Sequence, residues 1–272
     1  MAELTPLKPF LKWAGCKFRL MDKLLATLPP GKRLIEPFVG SGAVFLNAKY
    51  PKYLLGEKNQ DLVTLYHYLQ EEGQDFIDYA RQFYLPKNND KARYIKYRAQ
   101  FNETDDTRLR SALFIYMNRH CYNGLTRYNS SGIYNVPFGS QRDPRYHEDE
   151  LQEFCKRAKK ATFVCQDFTK TMKQAKKGDV VYCDPPYVPL SKTANFTNYS
   201  GNVFVEENQI ELMRQAEILA DRGIPVIISN HDTPFTRKLY KNAEITSFPV
   251  RRYISRDSAT RVNVSEVIAV FR

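Results

Sequence analysis

The chain is poor in the residues that build disulfide frameworks and metal sites. Its 272 residues include five cysteines and four histidines. The cysteines are odd in number and form no C-x-x-C pair, so a disulfide framework is not expected and they read as reduced thiols. The histidines are scattered, so no metal site is expected either. No apolar run is long enough to span a bilayer, and Met1 to Phe10 lacks the apolar core of an export signal. These absences point to a cytoplasmic protein with no membrane segment. Tryptophan occurs once, at Trp13. Repeats and low-complexity tracts are missing as well. Acid is the minority charge: 41 Lys and Arg face 30 Asp and Glu, a net +11. The excess is local. Residues 1–35 carry seven basic and two acidic side chains, residues 91–145 ten and four, and residues 237–272 eight and three. Folding can gather these stretches into one surface facing phosphates.

What is present suits an α/β fold. The chain is 43% apolar and long enough for one large domain or a domain with a sizeable insertion. Short apolar runs predict strands at 33–37, 53–57, 161–165, 179–183, 225–229, 245–250 and 264–271. The first runs into Phe38-Val39-Gly40-Ser41-Gly42 and a helical stretch, Ala43 to Lys49. A strand, a glycine turn and a helix bring a nucleotide-like ligand against backbone N–H groups. The third glycine of the dinucleotide fingerprint is missing, so a pyrophosphate is not required. The second strand ends on Glu57, an acid about 20 residues past the turn, where ribose hydroxyls are held.

Between 60 and 147 the strands stop. Asp61–Gln70, Asp75–Leu85, Lys91–Phe101 and Arg108–Arg119 predict successive helices, and a Gly-, Asn- and Tyr-rich stretch from Tyr122 to Gly139 predicts a loop and β-hairpin. Arg93, Lys96 and Arg98 beside Tyr94 and Tyr97 suit a nucleic-acid backbone. Arg127 on the hairpin suits guanine. The alternation then resumes with helices at Glu148–Lys159 and Glu206–Asp221, the latter with Ile210, Met213 and Ala220 near one face. Thr193 to Phe204 reads as a mobile loop over a site. Residues 1–59 with 148–272 are therefore expected to form a ligand-binding domain, and 60–147 an inserted recognition domain.

The fourth strand, 179–183, leads into Asp184-Pro185-Pro186-Tyr187. Two prolines cannot continue a sheet. They form a stiff bend at the carboxyl end of a strand, where open α/β sheets place ligands. Asp184 and the Pro185 carbonyl can accept the two hydrogens of an NH2 group on a planar ring, and Tyr187 can stack on that ring. A nucleoside-type cofactor without an obligatory pyrophosphate, set beside an amino group, suggests S-adenosylmethionine and N-methylation. Such a displacement depends on positioning and electrostatics and needs neither a metal nor a covalent enzyme intermediate.

Nearly the whole chain resembles the Dam-type DNA adenine-N6 methyltransferases. The resemblance lies in Phe10-Leu11-Lys12-Trp13-Ala14-Gly15 with Lys17, in Glu36-Pro37-Phe38-Val39-Gly40-Ser41-Gly42, and in Arg119 with Tyr122-Asn123-Gly124-Leu125 and Arg127-Tyr128-Asn129. Asn135-Val136-Pro137-Phe138-Gly139 and Asp184–Tyr187 complete it. It implies a Rossmann-like seven-stranded methyltransferase sheet with a mainly helical, hairpin-bearing insert. Trp13, Lys17, Phe38, Gly40, Gly42, Glu57, Asp167, Phe168 and Asp184 would line the S-adenosylmethionine pocket, with Lys17 on the methionine carboxylate and Phe168 on the adenine face. Asp184, Pro185, Pro186 and Tyr187 would hold an adenine flipped from the duplex. Tyr122 and Asn123 would stabilise the opened duplex, while Lys12, Leu125, Arg127 and Pro137 would contact recognition bases. The implied target is GATC in double-stranded DNA. The implied enzyme is a nucleoid-associated monomer without an obligatory protein partner. An RNA or protein-amide acceptor is the rival reading, and a DNA binder without catalysis a second. Cys16 stands where the family usually has glycine, Glu57 where it usually has aspartate, and Gln141 where some relatives carry an aromatic residue.

Overall fold

The computed structural model describes residues 6–139, 144–187, 204–251 and 263–272. The expected loop at 193–203, Gln141 and the basic stretch after Arg251 lie outside the described residues. Seven strands form one sheet: β1 (Arg33–Glu36), β2 (Lys52–Glu57), β3 (Ala161–Cys165), β4 (Asp179–Cys183), β5 (Val226–His231), β6 (Glu244–Arg251) and β7 (Asn263–Phe271). Their order is β3-β2-β1-β4-β5-β7-β6. β7 runs antiparallel to both its neighbours, and the other pairings are parallel. This is the seven-stranded sheet that the sequence predicts.

Central parallel strands are covered on both faces and so read as unbroken apolar runs. β4 is buried along its whole length, as is β5. The chain order reverses between β1 and β4, which lie side by side with Ile35 opposite Val181. The crevice at such a switch point is where open α/β sheets bind ligands. Here it brings the glycine turn after β1 next to the Asp184 corner after β4.

The helices are α1 (Met21–Thr27), α2 (Ala43–Asn47), α3 (Gln60–Glu71), α4 (Gln74–Arg81), α5 (Lys91–Glu103), α6 (Thr107–His120), α7 (Glu148–Ala158), α8 (Phe168–Met172), α9 (Glu206–Asp221) and α10 (Pro234–Leu239). Side-chain caps start several of them: Asn59 accepts from Leu62 N, Asp90 from Arg93 N, and Asp106 from Leu109 N. α3 to α6 follow one another between β2 and β3 without a strand. Their core is continuous with one face of the sheet, through the rings of Phe10, Tyr66, Phe154 and Phe163. The opposite face is covered by α8 and α9.

Several local expectations change. After Cys16 the chain forms a 3-10 turn, Lys17–Leu20, that runs into α1. α4 stops at Arg81, and a 3-10 turn covers Gln82–Tyr84. The hairpin is paired at two isolated antiparallel bridges, Cys121 with Phe138 and Tyr128 with Tyr134, rather than along a ladder. On α9 the buried face is Gln209, Leu212, Gln215, Ala216 and Leu219. Of Ile210, Met213 and Ala220, the last two are half-buried against the core, and Ile210 is 45% exposed. A count of apolar residues misses this because two members of the buried face are glutamines, one with a polar task at the site.

Candidate active site

β1 ends on Glu36, and the glycine turn follows at once. Gly40 and Gly42 take φ of +48° and +74°, the left-handed region that glycine enters without strain. Gly40 has a second reason to lack a side chain. A Cβ there would lie 2.8 Å from Nε1 of Trp13. Trp13 therefore packs directly against the turn backbone, and the Tyr66 hydroxyl donates to the Gly40 carbonyl from below.

Glu57, at the tip of β2, reaches the same turn. Its Oε2 accepts from Gly40 N at 3.2 Å, and Oε1 accepts from Lys58 N and Asn59 N at 2.8 and 3.1 Å. Burial pushes its pKa up, and these three backbone N–H groups oppose the shift. The longer glutamate side chain thus binds β2 to the turn. Asp167 caps α8 by accepting from Thr169 N and Thr169 Oγ1. Phe168, one residue on, stacks on Phe38 with centroids 5.3 Å apart, and Phe204 closes against both. Phe168 is 4% exposed. Phe38 thus covers the face that Phe168 would offer a cofactor ring. Cys16 lies beside the turn, with its Sγ accepting from Ser41 Oγ at 3.5 Å.

The Asp184 corner is braced from three directions. Lys17, a buried lysine, places Nζ 2.9 Å from Asp184 Oδ1 and also donates to Gly15 O. Ser229 Oγ donates to the same Oδ1 at 2.9 Å. Burial raises the Asp184 pKa, whereas Lys17, Ser229 and Tyr187 each lower it. Pro185 is buried and Pro186 exposed; the Pro186 carbonyl accepts from Gln209 Nε2 at 2.9 Å. The Tyr187 hydroxyl donates to Glu266 Oε2 at 3.0 Å. Its ring lies edge-on to His231, 4.4 Å between centroids, with Lys17 Nζ 4.4 Å from the ring centre.

Sequence reasoning missed these supports. Ser229, Asn230 and His231 are consecutive on β5, and each serves a different part of the corner. Ser229 meets Asp184, and His231 meets Tyr187. Asn230 Nδ2 donates to Gln209 Oε1, and the Gln209 amide reaches Pro186. Glu36, which the sequence shows only as part of a motif, is a further buried acid near the corner. It is 2% exposed, and its Oε1 has no hydrogen-bond partner among the described residues. Burial first, then the nearby Asp184 charge, pushes its pKa well up.

The residues expected on DNA gather on one structure. Tyr122, Asn123, Arg127 and Pro137 are exposed on the hairpin, with Leu125 half-buried beside them. Asn123 takes φ of +54°. Arg127 Nε donates to Asn135 Oδ1 at 2.8 Å across the hairpin. Lys12 joins from the N-terminal segment. Its backbone N–H and carbonyl both bond the Asn118 amide, and its side chain lies over Gly124, where a Cβ would be 2.4 Å away. Burial, then Arg119, lowers its pKa. Arg119 itself is buried and donates to the Phe10 carbonyl, a structural tie. Among the described residues no group of three or more His, Cys, Asp or Glu could hold a metal ion. No described helix is long and apolar enough to cross a membrane.

A reversed β7 in a seven-stranded sheet, with a glycine turn and an Asp-Pro-Pro-Tyr corner meeting at its switch point, defines an α/β methyltransferase. Residues 13–254 match the model of the D12 class N6 adenine-specific DNA methyltransferases, and the chain belongs to that family. A DNA adenine methylase of Vibrio cholerae is 47% identical over 265 residues, covering 97% of this chain and 96% of its own. That of Escherichia coli K12 is 44% identical, covering 97% and 95%. That of Serratia marcescens is 45% identical, covering 97% and 98%. The enzyme is an adenine-specific DNA methyltransferase.

Proposed function

We propose that the enzyme transfers the methyl group of S-adenosylmethionine to N6 of the adenine in GATC, within duplex DNA, after the base leaves the stack. The observation that carries this reading is the braced Asp184 carboxylate, one strand away from a glycine turn that has a buried, unpartnered acid oxygen at its root.

The residues present fit S-adenosylmethionine. Gly40 and Gly42 let a ligand approach the turn backbone, and Trp13 walls it. Glu57 would exchange its backbone partners for ribose hydroxyls. Phe38, now stacked on Phe168, would have to swing aside for the adenine ring to lie on Phe168, with Asp167 at its edge, and Lys17 would serve both the methionine carboxylate and Asp184. When bound, the cofactor supplies an electrophilic methyl group on a sulfonium.

The protein's part is to present the acceptor. With Oδ1 held by Lys17 and Ser229, Asp184 Oδ2 would accept one hydrogen of the adenine amino group, and the Pro185 carbonyl the other. Two such bonds draw the nitrogen lone pair out of the ring and aim it outward. Tyr187, fixed by Glu266 and His231, would hold the ring plane, and Pro186 would stiffen the bend. Burial raises the affinity of Asp184 for the proton that the nitrogen gives up. Tyr122 and Asn123 would fill the space left in the duplex. Lys12, Leu125, Arg127 and Pro137 would read the flanking bases, with residues 60–147 acting as the recognition domain. We place this work on DNA in the cytoplasm, by a monomer.

The test is transfer of label from S-adenosylmethionine to unmethylated plasmid, followed by nucleases that sense adenine methylation at GATC. Label in DNA with protected GATC sites is expected. Label without protection overturns the specificity, and no label in DNA overturns the donor or the acceptor. Asp184→Ala should abolish transfer in a folded protein; near-normal turnover would remove Asp184 from its role.

A further inference from the structure

The hairpin has two arms, and they are anchored differently. The arm at 134–136 is held by α5: Tyr94 Oη and Arg98 Nη1 donate to Val136 O, and the Asn102 amide bonds both N and O of Tyr134. The arm at 125–129 carries Arg127. It bonds across to the first arm through Arg127 O and Leu125 O. Its described side-chain tie to a helix is Tyr128, whose hydroxyl donates to Asp61 Oδ2 at 2.5 Å.

Asp61 is well placed to be an anchor. Arg110 grips it from α6, with Nε 2.6 Å from Oδ1 and Nη2 3.1 Å from Oδ2. Arg110 is itself fixed by donating to Phe101 O and by lying 4.1 Å from the Phe101 ring centre. The carboxylate is 15% exposed and the guanidinium 24%, and such paired bonds fix direction as well as distance. Asp61 also lies in the first turn of α3, just past Lys58 and Asn59, whose N–H groups Glu57 holds. Around the contact lies an open cleft of about 650 Å³, lined by Lys58, Thr64, Asn129 and Gly132 among others. The Tyr128 ring packs against the core and meets Tyr134 edge-on, 5.7 Å between centroids, so the ring attaches the arm and the hydroxyl bond sets its direction at the edge of the cleft.

We infer that Asp61 and Tyr128 are positioning residues for sequence reading: their hydrogen bond fixes the Arg127 arm of the hairpin against α3 and α6. The inference rests on the reading that the hairpin meets DNA. Without the bond the arm keeps its fold but loses its register against a base pair. Arg127 then meets correct and incorrect bases with more equal success.

Tyr128→Phe keeps the ring and leaves Asp61 paired with Arg110, so folding is preserved. Methylation is measured on a synthetic duplex carrying GATC and on duplexes with one outer base pair exchanged. The discrimination ratio in kcat/KM should fall about tenfold, the equivalent of losing one hydrogen bond of about 1.4 kcal/mol. The loss should fall on KM for the GATC duplex, with kcat and DNA-free cofactor affinity unchanged. Asp61→Asn, which keeps an acceptor for Tyr128, should restore much of the discrimination that Asp61→Ala loses. An equal loss on all duplexes, or an unchanged ratio, overturns the inference. Arg127→Ala tests the underlying reading separately. If it leaves discrimination intact, the hairpin does not read bases and the inference falls with that assignment. If it lowers discrimination while Tyr128→Phe does not, only the positioning role is lost.

Discussion

Ser229→Ala isolates how the Asp184 carboxylate is kept charged. A carboxylate can only accept, so Ser229 must donate its one proton to Asp184, and Tyr182 Oη, 3.0 Å away, must donate to Ser229. Alanine removes the middle of this relay. A hydrogen bond to a charged group contributes about 1.5–3 kcal/mol, or about one to two pH units if it all bears on proton affinity. Lys17 remains on the same oxygen, so a shift of about one unit is expected. The sign follows from which form the bond favours. Ser229 stabilises the ionised acid, so its loss raises a pKa that burial already raises. The acid limb of kcat/KM, which reports the free enzyme, should therefore move to higher pH by about one unit, while the plateau above it changes much less. The Tyr182 hydroxyl, buried and now without its acceptor, should also lower stability by about 1–3 kcal/mol. Initial rates of methyl transfer from pH 5.5 to 9 (chosen as about two units either side of neutral) with thermal denaturation would read both effects. Ser229→Thr keeps the hydroxyl and should keep the wild-type limb. An unmoved limb in Ser229→Ala, or an equal shift in the threonine variant, would refute the reasoning.

Gly40→Ala should lower stability by about 1–2 kcal/mol through its left-handed φ alone. It should also weaken cofactor binding, because the new methyl group displaces Trp13; calorimetric titration with unchanged affinity would count against that wall. His120, stacked on Tyr116 at 3.8 Å, has its pKa pushed down to about 4 by burial. The unfolded chain then takes the proton first, so its contribution is full above about 6.5 and is lost as pH falls towards 4. Relative to His120→Phe, the wild type should lose about 2 kcal/mol between pH 7 and 5; parallel urea midpoints at the two values would contradict this. Glu36 behaves oppositely. Its raised pKa means that its contribution is full below the ordinary carboxylate range and is lost as pH rises towards the folded value. Glu36→Gln should therefore gain stability on the wild type between pH 5 and 8, and a pH-independent difference would show that the buried acid is not protonated.

What was legible in the sequence is what lies within a few residues of a strand end. Glu57, the glycine turn and Asp184 each follow an apolar run directly, and strand ends are where the sheet must place them. The hairpin was legible for a related reason, since Asn-Gly and Ser-Gly turns announce themselves locally. Interactions between distant segments were not legible. The Lys17–Asp184 ion pair joins residues far apart in the chain, and no spacing encodes it. On α9, apolar periodicity likewise cannot show that Gln209 is buried for its hydrogen bonds.

The strand at β5 shows why such supports escape a reading by hydrophobicity. Its apolar run ends at Ile228, and the predicted strand ended one residue later. The pairing with β7 continues to His231, opposite Glu266. Those last residues are polar, yet they are among the most buried in the chain. Strand alternation sends Ser229 and His231 to one face and Asn230 to the other. The corner is thereby held from both faces: Asp184 and Tyr187 directly, and Pro186 through Gln209. A buried polar group is stable only when its bonds are made. Ser229 and Gln209 therefore specify where the corner must sit, because displacing it would cost Ser229 its Asp184 acceptor and Gln209 its Pro186 acceptor, while Asn230 fixes the Gln209 amide. The rigidity that an amino-group acceptor site needs resides in this polar strand tip, more than in the two prolines that first draw attention to the corner.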